Sequence, residues 1–117
     1  MEQEVYLVNL YLNPDSSRDP DKREYLVCGT EIHGVFSSYD KARDYVQSWI
    51  DDFDLKIVDR TVIDEVRLFK VISFGLVDFR TKNLESPFER YVKEAFGEWV
   101  DINRDEVYWQ ICKKYVA

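Results

Sequence analysis

Ala42, Tyr45, Val46, Trp49, Ile50 and Phe53 recur at i, i+3, i+4, i+7, i+8 and i+11, the spacing that gathers apolar side chains on one face of a helix. Ahead of them stands Ser37, the expected N-cap, whose hydroxyl can accept a free first-turn N–H. Asp40 then takes the third helical position of a capping box, near the positive end of the helix dipole. Ser86-Pro87-Phe88-Glu89 gives the same signal more strongly, with a capping serine, proline at the first helical position and glutamate at the third. Phe88, Tyr91, Val92, Ala95, Phe96 and Trp99 form the stripe behind it. Two helices with matching apolar faces need a common surface to lie on, so the rest of the chain is expected to build a sheet.

The segments around the helices read as strands. Glu4 to Leu12 places Tyr6, Val8, Leu10 and Leu12 on one side and Val5, Leu7 and Tyr11 on the other. A strand apolar on both faces belongs inside a sheet rather than at its edge. Asn13 to Arg23 holds Pro14, Pro20 and many turn formers, so it is a loop, open to being either mobile padding or a binding element. Glu24 to Phe36 is the return strand, with Gly29 and Gly34 marking a bulge or bend. Within it His33, the single histidine, reads as a surface or hydrogen-bonded residue in preference to a catalyst. Leu55 to Ile63 and Val66 to about Phe79 are two further strands joined at Asp64-Glu65, the second with an expected bulge between Ser73 and Gly75.

Residues 103–116 fit two patterns. As a helix, Asn103 caps it, Asp105 and Glu106 fill an acidic first turn, and Val107, Tyr108, Ile111, Cys112 and Tyr115 form the stripe. As a strand, Val107, Trp109 and Ile111 alternate with Tyr108, Gln110 and Cys112. The caps, with Lys113 and Lys114 at the far end, favour the helix. The expected fold is therefore α+β, a single domain over 1–117. It has an antiparallel sheet of about four strands, two helices on one face in the order ββαββα, and a C-terminal helix.

Composition narrows the function. An apolar content of 45% with 15% aromatics suits an ordered core. No apolar run approaches the roughly 18 residues that cross a bilayer. The acidic start, Met1 to Val5, is unlike the basic head of a signal peptide, so the cytoplasm is the expected compartment and no membrane contact is expected. A net charge of −7 argues against direct nucleic-acid binding, which needs a basic footprint on the phosphates. Cys28 and Cys112 lack metal-site spacing and read as buried free thiols. The four glycines are too scattered for a phosphate-cradling loop, and no cofactor is expected.

Gly34-Val35-Phe36-Ser37-Ser38-Tyr39-Asp40-Lys41-Ala42, set after a strand, a long polar loop and a second strand, resembles a turn found in a group of small bacterial and phage proteins. That group carries Gly-Val-Phe-(Ser/Thr)-Ser-x-(Glu/Asp)-Lys-Ala at the entry to its helix, and the similarity extends over about residues 4–64. The resemblance implies a small βα unit and a bacterial or viral source. It implies no activity.

Three readings of function remain. The first is a non-catalytic protein-binding module, in its most specific form a phage or mobile-element inhibitor of a host defence complex. Eight tyrosines, seven phenylalanines and three tryptophans exceed what two short helices and one sheet face hide, and aromatic anchors are typical of interfaces. Tyr11, Tyr39, Trp109 and Tyr115, with Arg18 and Arg23 of the long loop, make the candidate surface. A basic protein or a nucleic-acid-binding complex suits its acidity as a partner, and a homodimer through the Trp109 region is also open. The second reading is a nucleotide-like small-ligand binder, with Arg18, Arg23 or Arg80 meeting an anion in a pocket between sheet and helices. The third is a metal-dependent nuclease using Asp54 and Lys56 with Asp40 or Asp51 upstream, which the missing basic channel disfavours.

Overall fold

The computed structural model describes residues 3–15, 28–73, 85–102 and 104–116. The elements in chain order are β1 (Gln3–Asn13), β2 (Gly29–Phe36), α1 (Tyr39–Asp52), β3 (Leu55–Ile63), β4 (Val66–Ser73), α2 (Pro87–Phe96) and β5 (Glu106–Val116). They form an α+β fold whose one sheet has five strands in the order β2-β1-β5-β4-β3, every neighbouring pair antiparallel. The doubly apolar β1 lies inside the sheet, between β2 and β5, as its sequence demands.

Both amphipathic segments are helices, and they cover the same face. Ala42, Val46 and Ile50 of α1 and Phe88 and Val92 of α2 pack with Val8, Leu10 and Leu12 of β1 and Val107, Trp109 and Ile111 of β5. Each large apolar side chain taken from water there stabilises the fold by about 1.5–3 kcal/mol. At α2 the serine cap and the opening proline are realised: Ser86 accepts from the Glu89 N–H at 3.1 Å, and Pro87 opens the helix, while the Glu89 carboxylate faces Lys93 at 3.6 Å. Gly97 closes it at φ +136, where a Cβ would come within 2.5 Å of the Trp99 indole, so both conformation and space require glycine.

At α1 the cap is Ser38, one residue later than the sequence suggests. Its hydroxyl accepts from the Lys41 N–H at 3.2 Å, while Ser37 takes the Lys41 ammonium at 3.1 Å. Adjacent serines are equivalent as caps. β2 stays paired to β1 as far as Phe36 opposite Tyr6, which leaves both serines in the connection to the helix.

The C-terminal helix is not formed. Residues 106–116 are β5, paired along their whole length with β1 and through Val66–Val71 with β4. A central strand satisfies its backbone on both sides and buries Val107, Trp109 and Ile111, which outweighs local capping preference. The acids that resemble a helix start serve a turn at the strand's entrance instead. The Asp105 carboxylate accepts from the Asp101 N–H at 2.8 Å and from the Asp15 N–H at 2.9 Å. Lys113 reaches Glu4 on the neighbouring strand at 3.1 Å rather than a helix terminus.

Several expectations lie outside the described residues: most of the Asn13–Arg23 loop, the return strand before Cys28, the fourth strand beyond Ser73 with its bulge at Gly75, the connection through Arg80, and Asn103. Among the described residues, no helix is long and apolar enough to cross a membrane.

Candidate functional site

The two sides of the sheet differ in kind. On the helix side the strand register jumps between Val8 opposite Gly34 and Asn9 opposite Ile32, leaving His33 as the extra residue of a β-bulge. The bulge sits beside Gly34, one of the two glycines that signal it in the sequence. His33 lies 4.8 Å from the Trp109 ring and 5.1 Å from the Trp49 ring, both edge-on, with only 6% of its side chain exposed. Its Nε2 is 2.6 Å from Glu31 Oε1 and its Nδ1 is 2.8 Å from the Tyr45 hydroxyl. The Tyr91 hydroxyl donates to the same Glu31 oxygen. Burial, then that bond and the carboxylate charge, raise the Tyr91 phenol far above its ordinary value. One imidazole–carboxylate pair thus ties the edge strand β2 to α1 through Tyr45 and to α2 through Tyr91. His33 is a hydrogen-bonded residue of the interior.

The other side carries none of the described helices. Its register sets Val35, Leu7, Cys112, Val66 and Ile63 side by side across all five strands. This apolar row is sunk at its middle, where Cys112 is 7% exposed, and stands out at both ends, Val35 at 61% and Ile63 at 55%. The next row is Ile32, Asn9, Gln110, Leu68 and Thr61, with Asn9 donating to Gln110 at 3.0 Å and Ile32 67% exposed. A third runs Thr30, Tyr11, Tyr108, Lys70 and Asp59. The exposed face of an antiparallel sheet usually alternates to polar residues, whereas this one keeps an apolar band.

The sequence-derived surface residues divide between these faces. Tyr11 is half-buried on the open face, its ring 6.1 Å from that of Tyr108. A hydrogen bond with Cys28, then burial, raises the Tyr11 phenol. Tyr39 opens α1 on the helix side, edge-on to Tyr6 with the Arg67 guanidinium 4.0 Å over its ring. Tyr115 is exposed near the end of β5, with Lys113 Nζ 5.5 Å from its ring centre. Trp109 is fully buried beneath the helices, so it is a core residue and not a surface anchor. Arg18 and Arg23 lie outside the described residues. Unforeseen are Val35, Ile32, Val66 and Ile63, although the second apolar side of β1 signalled that the open face was unusual.

The acid-x-Lys segment is spread over a turn and both faces. Asp54 holds a left-handed φ of +52 between α1 and β3, Leu55 is buried, and Lys56 is exposed opposite Ile72. Asp40 faces Arg43 at 3.7 Å and Asp51 accepts from Gln47 at 2.9 Å. Among the described residues, no three His, Cys, Asp or Glu side chains group to hold a metal ion. Of the two free thiols, Cys112 is buried, which pushes its pKa up, whereas Cys28 is exposed, against expectation. No family model, curated protein or solved structure matches the chain.

Proposed function

We propose that the chain is a non-catalytic protein-binding module whose contact surface is the open face of the sheet. The observation that carries this reading is the apolar row Val35–Leu7–Cys112–Val66–Ile63, which crosses all five strands on the side away from the helices. Cys112 and, in the next row, Asn9 at 5% are buried, so a partner would meet the exposed ends Val35 and Ile63, and Ile32 adds to the first of these at the β2 edge. Apolar centre and polar surround, here Lys70, Asp59 and Lys114, match the anatomy of protein interfaces. The net charge of −7 would steer a basic partner toward the molecule and speed encounter.

The test is a pull-down from bacterial lysate with the tagged full chain and with the variant Ile32→Lys, Val35→Lys, Ile63→Lys. These side chains are more than half exposed, so the variant is expected to fold as the parent does. A near-stoichiometric protein held by the parent and lost by the variant supports the reading. The same protein held equally by both, or a clean column with monomeric protein throughout, overturns it. A parent that elutes as a dimer while the variant elutes as a monomer makes the partner a second copy.

A further inference from the structure

We infer a second binding site, on the helix side, for a small phosphomonoester with an apolar or aromatic body. A cleft of about 270 Å³ lies between α1 and the β3–β4 hairpin. Val46, Ile50, Ile57 and Phe69 give it an apolar lining, and Arg43, Arg60 and Arg67 are the three basic residues of its wall. This volume falls just below the range of about 300–1,000 Å³ usual for small-molecule sites, so the occupant is compact.

Arg60 reaches this side because of a bulge. Ile57 pairs with Val71 and Asp59 with Lys70, leaving Val58 as the extra residue of β3. Without it, simple alternation from Ile57 would turn Asp59 toward the helices and Arg60 toward the open face. With it, Arg60 and Val62 share the helix side with Phe69 and Arg67. The irregularity therefore replaces an acid by a base at the cleft, the kind of re-aiming for which bulges are retained.

The positive charge at the cleft is only weakly compensated in a chain where acids outnumber bases, 23 to 16. Arg43 has only long contacts to Asp40 at 3.7 Å and Asp44 at 3.9 Å, both exposed. Among the described residues Arg67 meets the Tyr39 ring and no carboxylate, and Arg60 has no ion pair. The cation–π contact with Tyr39 holds the Arg67 guanidinium near the cleft and leaves its N–H groups for an acceptor. One carboxylate would satisfy one such fork, whereas a phosphomonoester dianion carries the charge and oxygens for two or three. The apolar lining selects a ligand with a hydrocarbon or ring body over the bare ion. A nucleoside monophosphate and phenyl phosphate both have this form.

The site is independent of the open face, and so is its test. Isothermal titration calorimetry of the full chain uses phenyl phosphate, adenosine monophosphate, inorganic phosphate and adenosine, repeated with Arg60→Gln, Arg67→Gln and the double variant. At least one organic phosphate is expected to bind saturably, at least about tenfold tighter than inorganic phosphate or adenosine. Each single variant should weaken it about tenfold and the double variant further, with the unliganded melting temperature unchanged. The inference is overturned by no saturable binding up to about 10 mM of either organic phosphate. Inorganic phosphate binding as tightly as both, or undiminished binding by the double variant, overturns it as well.

Discussion

Trp109 shows how one wrong period misplaces a residue. Read as a helix, its segment has the stripe Val107, Tyr108, Ile111, Cys112 and Tyr115, and Trp109 falls off it toward solvent. Read as a strand, Trp109 shares the parity of Val107 and Ile111 and enters the core, which is where it lies, fully buried. Trp109→Ala should therefore cost about 3–5 kcal/mol in urea unfolding, as a core deletion does. A change below about 0.5 kcal/mol is what a surface anchor would give. The tyrosines carry a second residue-scale prediction. Burial, then the hydrogen bond to Glu106, pushes the Tyr108 phenol up from 10.0 to about 12. The unfolded chain ionises first, so the stability linked to this phenol is complete below pH 10 and is lost between there and about 12. Unfolding midpoints across that window should fall less steeply for Tyr108→Phe than for the parent, and equal slopes would refute the assignment.

The helices were legible because their evidence is local: a cap, a period and a stop lie within a dozen residues of one another. Even there, the sequence could not choose between Ser37 and Ser38, since adjacent serines cap equally well. Ser38→Ala is expected to lower stability by about 1 kcal/mol and Ser37→Ala by no more than a few tenths, measured by the same unfolding curves. The bulges were only half legible. Gly34 marked the one at His33, while nothing in Ile57-Val58-Asp59 announces an extra residue, because a bulge exists only relative to the partner strand. The same limit hid Arg60. At the Asp64-Glu65 turn, Asp64 holds φ +52, which a short polar side chain tolerates and a β-branched one does not. Asp64→Val should cost about 1–2 kcal/mol by the same measurement, whereas Asp64→Gly should not destabilise the hairpin.

At the scale of the molecule, the class and the shared helix face followed from the sequence, but the strand order did not. Nothing local says that β1 and β5 are neighbours, or that the β1–β2 and β3–β4 hairpins lie on opposite sides of β5. The open face depends on that order, since its apolar row draws one residue from each strand. Ile32→Lys, Val35→Lys, Ile63→Lys should accordingly abolish capture of the partner while leaving the unfolding midpoint near that of the parent. The position of β5 also bears on how the chain is made. Every other described strand precedes it, yet among the described strands β5 alone joins the two hairpins into one sheet. During translation, both hairpins must wait with unpaired inner edges until Glu106–Val116 clears the ribosome exit, so the cooperative unit forms only after the other strands have been synthesised. A stalled nascent chain lacking this segment would be exposed to proteases and to wrong strand partners, and protection should appear in one step when it emerges.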